Sequence, residues 1–138
     1  GQALSERQTR EICQRLLDLG CKNIILKGIV RENESMIRNA VASVDSSYTN
    51  TVHQRVAAAM HGTGDLFASI VAAGIFSGRD LHETVVFAGK LIHDAMNYSL
   101  TQKGWQDRGV NFEPFLNYVS CFCGNQLGKI ETSELNRL

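Results

Sequence analysis

The sequence predicts an α/β protein with an incomplete sheet flanked by helices. Three observations lead to this class: a capped amphipathic helix near the start, a short apolar run directly after it, and a glycine-rich turn that opens an Ala- and Gly-rich helix. A helix followed by a buried strand is half of the βαβ repeat from which parallel sheets are built. One such strand is too little for a complete doubly wound sheet, so we expect part of a larger α/β fold.

The first helix and the first strand are the best-marked elements. Ser5 and Gln8 form a capping box, and Gly20 follows the last apolar position of the helix as a stop signal. The run at 22–28, Lys-Asn-Ile-Ile-Leu-Lys-Gly, is apolar on both faces. Because strands that are buried on both faces have continuous apolar runs, this pattern favours a central strand of a parallel sheet over an edge strand.

Downstream of this strand the pattern first weakens and then becomes helical. Capping residues, Gly and Pro set the boundaries of the later elements. In order, we predict one or two strands within 35–44, a loop at 45–50, a helix at 66–76, a helix from Asp80 to about Leu100, a loop at 104–109, a helix at 112–122 and a flexible tail at 124–138.

Composition and charge narrow the class of protein. The 138 residues fit one domain, and 14 basic residues balance 14 acidic ones. A zero net charge gives no support for a nucleic-acid partner, and no apolar run approaches the ~20 residues of a membrane span. The four cysteines show no zinc-type spacing, so we expect free thiols, no metal site built from these residues and a cytoplasmic location.

The segment Gly-Thr-Gly-Asp at 62–65 has the clearest chemical meaning. Glycines allow a positive φ and close approach of a ligand to the backbone. A helix that begins near Asp65 leaves its first N–H groups unpaired at the positive end of the helix dipole, which suits a phosphate group. The carboxylate of Asp65 is then placed to take a proton from an attacking hydroxyl group. An ordinary turn with an acidic N-cap residue would give the same four letters.

With these motifs the chain resembles the C-terminal half of the ribokinase-like superfamily, which has a three-layer α/β/α fold, and within it the vitamin B6 (pyridoxal/pyridoxine/pyridoxamine) kinases. The resemblance rests on the strand that ends at 24–28, the turn at 62–65, the long helix after Gly78 and the closing Gly-Val-Asn-Phe-Glu-Pro-Phe-Leu at 109–116. It implies that residues 1–138 form the nucleotide-binding part of a single kinase domain. It also implies that the vitamin pocket, the lid and much of the magnesium environment lie elsewhere, so that the chain alone would be inactive.

The resemblance assigns roles to individual residues. They are Asp65 as the catalytic base, Gly62, Thr63 and Gly64 as the anion hole for the γ-phosphate, Lys27 and Gly28 as contacts to the nucleotide phosphates, and His53, Val56 and Asn97 as contacts to the adenine. The implied cofactors are ATP and Mg²⁺, with a monovalent cation such as K⁺ as a further candidate. The intact protein would be a homodimer that acts on a small hydroxymethyl-bearing heteroaromatic substrate, without a nucleic-acid or membrane partner.

Three alternatives stay open. Lys27 stands where many B6 kinases have a hydroxyl residue and is similar to the Lys-Gly of hydroxymethylpyrimidine/phosphomethylpyrimidine kinases, although many of those have cysteine where this chain has Asp65. The ADP/ATP-dependent hydrated-NAD(P)H dehydratases carry a related Gly-x-Gly-Asp turn. The third alternative is a non-catalytic nucleotide-binding half-domain that acts only with a partner chain.

Overall fold

The computed structural model describes residues 3–31 and 34–124, which form an α/β structure with a three-stranded sheet between helices. The elements in chain order are α1 (Glu6–Asp18), β1 (Asn23–Val30), β2 (Met36–Ser43), β3 (Ser46–Gln54), α2 (Thr63–Phe76), α3 (Leu81–Leu100), α4 (Trp105–Arg108), a 3-10 turn (Glu113–Phe115) and α5 (Leu116–Cys123). Within these described ranges, no helix combines the length and apolar character that a membrane crossing requires. The predicted α/β class is confirmed.

The sheet is antiparallel, with the order β1-β2-β3, so the prediction of a parallel sheet is wrong. Among the described strands, β1 lies at an edge and pairs only with β2. Its apolar run has a different cause, because helices cover both of its faces. Ile24 packs in a cluster that contains Cys13 of α1, whereas Ile25 packs against the cluster formed largely by α2 and α3.

Strand β1 contains a bulge at the point where its apolar run ends. Leu26 pairs with Ala40, whereas Ile29 pairs with Arg38, so the register shifts between these two pairs. Gly28 lies in the bulge with φ +76°, a value that L side chains rarely adopt. Its N–H donates to Oδ1 of Asn39 at 3.1 Å, which replaces part of the interrupted ladder.

The helix boundaries largely follow the capping signals. Ser5 caps α1 with the predicted capping box, and the Asp80 side chain accepts a hydrogen bond from the Glu83 N–H at 2.9 Å at the start of α3. Helices α2 and α3 pack closely because Gly74 faces Thr84, which is fully buried. The predicted helix at 112–122 is a 3-10 turn followed by α5.

Two predicted loops are wrong in part. Strand β3 begins at Ser46 and takes up most of the predicted loop at 45–50, because tertiary pairing with β2 overrides the turn-like composition of that segment. The predicted loop at 104–109 contains the single turn of α4. Gly124 ends α5 in a left-handed conformation, and the rest of the predicted tail lies outside the described residues.

Candidate functional site

The glycine-rich turn leads directly into α2. Gly62 has φ +85° and forms the N-cap, with no side-chain capping bond. Its carbonyl accepts the first helical hydrogen bond, from the Leu66 N–H at 2.9 Å. The Thr63 hydroxyl donates backwards to the carbonyl of Met60 at 3.2 Å, which holds the turn against the helix. The helix thus begins three residues earlier than the predicted 66–76.

The first three amides of α2, those of Thr63–Asp65, donate to no protein acceptor within residues 3–31 and 34–124. Because the helix dipole places partial positive charge at this end, the unpaired amides offer donors of the kind that can hold an anion such as a phosphate group. The carboxylate of Asp65 is exposed in the first turn. A general base must be reachable by the substrate, and this position meets that condition.

A lysine from a distant part of the chain lies beside this helix end. The bulge of β1 directs Lys27 towards α2, and Nζ lies 4.9 Å from the centroid of the Phe67 ring. A Cβ placed on Gly64 would lie 3.8 Å from the same Nζ. The ammonium group is therefore close to the free amides, and both favour negative charge at the same place.

A cavity of about 280 Å³ lies next to the helix end, between the sheet and α3. Five residues that the sequence assigned to nucleotide binding or the anion hole line it together: Lys27, Gly28, His53, Val56 and Thr63. Sequence reasoning missed other lining residues, chiefly Asn39, Met60, Phe67, Gly89, Ile92, His93 and Met96. The α3 members recur at helical spacing, a signal that could have revealed them but that also fits an ordinary core-facing stripe.

The remaining predicted residues lie outside the wall of this cavity. Gly62, Gly64 and Asp65 belong to the turn at its edge. The side chain of Asn97 is exposed and its amide lies 3.2 Å from Nε2 of His93, a lining residue. The structure therefore brings most of the predicted site residues together at the cavity and the start of α2, and leaves Asn97 outside.

The candidate site is not the largest cavity of the structure. A larger open groove of about 730 Å³ lies between α1 and the sheet, beside Cys13 and Tyr48. None of the predicted site residues lines this groove. The guanidinium group of Arg10 is stacked on the Tyr48 ring there, with Cζ 4.1 Å from the ring centroid. The smaller cavity is the better candidate because free backbone donors and a cation converge at its edge.

The surroundings of one ionisable side chain in the cavity, His53, favour its neutral form. Burial lowers the pKa of His53, and repulsion from His93 lowers it further. Nε2 of His53 is buried, and no group within the described ranges forms a hydrogen bond with it. His53 therefore stays neutral at a pH at which an exposed histidine already begins to be protonated.

The described residues contain no cluster of three or more His, Cys, Asp or Glu side chains placed to bind a metal ion. Kinases commonly hold Mg²⁺ through one or two carboxylates and the phosphates of the substrate, not through a protein cage. The donor set at this site fits the phosphates of a nucleotide, and Asp65 supplies a carboxylate in the same first turn of α2.

Comparison with known proteins decides the family. Residues 1–109 match the phosphomethylpyrimidine kinase family. The chain belongs to this family. Comparison with curated proteins gives no match.

Several solved structures have a fold similar to that of this chain. A candidate phosphomethylpyrimidine kinase from Bacteroides thetaiotaomicron, in a crystal form with pyridoxal, gives a TM-score of 0.78 at 17% identity and covers 87% of this chain and 43% of its own. Pyridoxal kinase from Entamoeba histolytica gives a TM-score of 0.71 at 16% identity, with 86% and 41% covered. Pyridoxal kinase from Lactobacillus plantarum gives 0.63 at 17% identity, with 75% and 37% covered.

These likenesses establish a partial ribokinase-like fold, as the sequence predicted. The chain spans about two fifths of the length of the solved structures that it matches. The family match therefore identifies the chain as part of a kinase-family protein.

Proposed function

We propose that this chain forms the nucleotide-phosphate part of an ATP-dependent kinase that phosphorylates the hydroxymethyl group of pyridoxal, pyridoxine or pyridoxamine. The observation that carries the proposal is the convergence of the Lys27 ammonium group and the free amides of Thr63–Asp65 at one end of α2. The family match and the fold support a phosphotransferase. On resemblance alone, the intact protein is further proposed to be a cytoplasmic homodimer.

The proposed transfer depends on positioning and charge. The amides of Thr63–Asp65 and the Lys27 ammonium group hold the γ-phosphoryl oxygens as negative charge spreads over them. The Asp65 carboxylate accepts the proton of the substrate hydroxyl while its oxygen bonds to the γ-phosphorus, and ADP leaves with the electron pair of the broken P–O bond. A Mg²⁺ ion bound with the nucleotide would neutralise part of the charge on its phosphates. The cavity beside Lys27 accommodates the base.

Hydroxymethylpyrimidine or its phosphate is the second candidate substrate. The observation that favours it is Lys27 itself, because the bulge places a lysine where many B6 kinases have a hydroxyl residue.

Nucleotide binding is the first test, made on the 138-residue chain by calorimetric titration with ATP. We expect measurable ATP binding that weakens in Lys27→Ala and is unchanged in Lys22→Ala, a matched control at an exposed lysine that directly precedes β1 and does not line the cavity. Absence of ATP binding at millimolar concentration would overturn the proposed nucleotide site.

Turnover is the second test, made on the full-length gene product. We expect ADP formation with pyridoxal, pyridoxine or pyridoxamine, and less with hydroxymethylpyrimidine. The reverse order would move the proposal to the pyrimidine substrate. Repair of hydrated NADH without phosphorylation of either ring would indicate the dehydratase, and ATP binding without turnover would indicate a non-catalytic half-domain.

A further inference from the structure

The ring of His53 lies in a narrow slot between β3 and α3. A Cβ placed on Gly89 of α3 would lie only 2.1 Å from Nε2 of His53, so any larger residue at 89 would occupy the space of the ring. Both residues line the candidate nucleotide cavity. The slot therefore exists because residue 89 has no side chain, and the position of the His53 ring helps to determine how much of the cavity is open.

This slot suits a neutral ring and not a protonated one. Nε2 is buried without a hydrogen-bond partner in the described part of the chain. A neutral imidazole has one N–H and can leave its bare nitrogen in an apolar contact, whereas a protonated ring has two N–H donors. The second donor would then face Gly89 with no acceptor, which is unfavourable for a buried charged group.

One neighbouring group adds to this preference, because repulsion from His93 also lowers the pKa of His53. The cavity is lined by His93 of α3, by Lys27 of β1 and by Arg55, which directly follows β3. Strand β2 contributes the uncharged Ile37 and Asn39. On α2, Thr63 and Phe67 line the cavity and are also uncharged. The carboxylate of Asp94 lies on α3 but is engaged by Lys90 at 2.7 Å and by His93 at 3.2 Å.

We propose that protonation drives the His53 ring out of the slot over Gly89 and into the cavity, where it excludes the base of the nucleotide. His53 is thus a proton-dependent positioning residue of the base subsite, and Gly89 is the residue that gives it an alternative place. The inference rests on the proposed function, because it assigns the base of ATP to this cavity.

The test is the pH dependence of ATP binding by the 138-residue chain between pH 5 and 8. We expect the dissociation constant to rise by roughly tenfold per pH unit below the pKa of His53, which itself lies below the ordinary value of about 6.5. His53→Gln keeps a neutral polar side chain and should remove this dependence. The phosphates of ATP are also protonated in this pH range, so the quantity to compare is the difference between the pH profiles of the wild type and His53→Gln.

Two further variants separate the slot from general effects. Gly89→Ala forces the ring out at every pH and should weaken ATP binding even at pH 8. His82→Gln removes a histidine outside the cavity, bonded to Thr49, and should keep the wild-type pH profile.

A nucleotide-free measurement guards against loss of folding in the variants. In NMR spectra of the wild type, the Gly89 amide should shift with the titration of the His53 ring. An unmoved Gly89 amide, or equal pH profiles for the wild type and His53→Gln, would overturn the gate and leave the kinase proposal intact. Failure of the wild type to bind ATP at pH 8 would overturn both.

Discussion

Replacing Lys27 by alanine tests the convergence of charge at the start of α2. A Cβ placed on Gly64 would lie 3.8 Å from Nζ, so we take a separation of about 4 Å between the ammonium group and a phosphate oxygen bound near Gly64. At that distance two unit charges interact by about 1 kcal/mol in water and by about 4 kcal/mol at an effective dielectric constant of 20. Lys27 is exposed, so the lower part of this range applies. We expect a loss of ~1–2 kcal/mol, or roughly 5- to 30-fold in the dissociation constant of ATP.

The assay compares ATP with adenosine at two salt concentrations. Only ATP carries the charge that Lys27 recognises, so adenosine binding should be unchanged in Lys27→Ala, and added salt should narrow the difference between wild type and variant for ATP. Lys22→Ala should match the wild type for both ligands. Equal losses for ATP and adenosine would mean that Lys27 supports the shape of the cavity and not the phosphates, which would refute the argument from charge.

Four further outcomes follow from single contacts. Asp65→Asn in the full-length gene product should lower turnover by at least about 100-fold while ATP affinity is kept, and full turnover would remove Asp65 as the base. Gly74→Ala should destabilise the fold by about 1–3 kcal/mol, because its Cβ would lie 2.5 Å from Cγ2 of Thr84; denaturant unfolding measures this, and Thr84→Ala in the same chain should restore part of the loss. Ser5→Ala should lower stability by about 1 kcal/mol through loss of the α1 cap, with no effect on ATP binding. The lowered pKa of His53 means that the unfolded chain binds more protons below about pH 6.5, so stability should fall as the pH drops from there through the folded-state pKa; unfolding curves of His53→Gln should lack this component.

Local signals in the sequence were sufficient to locate most helices and the glycine-rich turn at 62–65. Ser5 and Asp80 start helices with capping hydrogen bonds that depend on neighbouring residues alone. The Gly-Thr-Gly-Asp turn at 62–65 likewise carries its conformation in its own residues, because Gly62 tolerates the positive φ. Elements of this kind can be predicted from a single sequence.

The direction of the strands could not be predicted in the same way. The apolar run of β1 reports burial on two faces, and that burial comes from helices on both sides of an antiparallel sheet. Strand β3 was not predicted, because its residues are largely polar and its strand conformation depends on pairing with β2. Pairing between strands is a tertiary property, and the same residues fit more than one arrangement.

The cavity shows the same division. Lys27 and His53 were predicted as contacts, but the slot at Gly89 depends on which residue of α3 faces His53. From sequence alone, a glycine within a helix indicates only a low helix propensity at that position. Its packing role becomes clear when the residue that faces it is known.

The order in which the sheet is connected has a consequence for how the protein folds. In the part of the chain that the structure describes, β1, β2 and β3 are consecutive and each pairs only with its neighbours in sequence, so their contacts close short loops. We expect this meander to form early, before the two long helices settle on it. Pulse-labelling of amides during refolding would then show protection of the hairpins before protection of α3. Lys27 in the β1 bulge would then be positioned before the glycine-rich turn packs beside it.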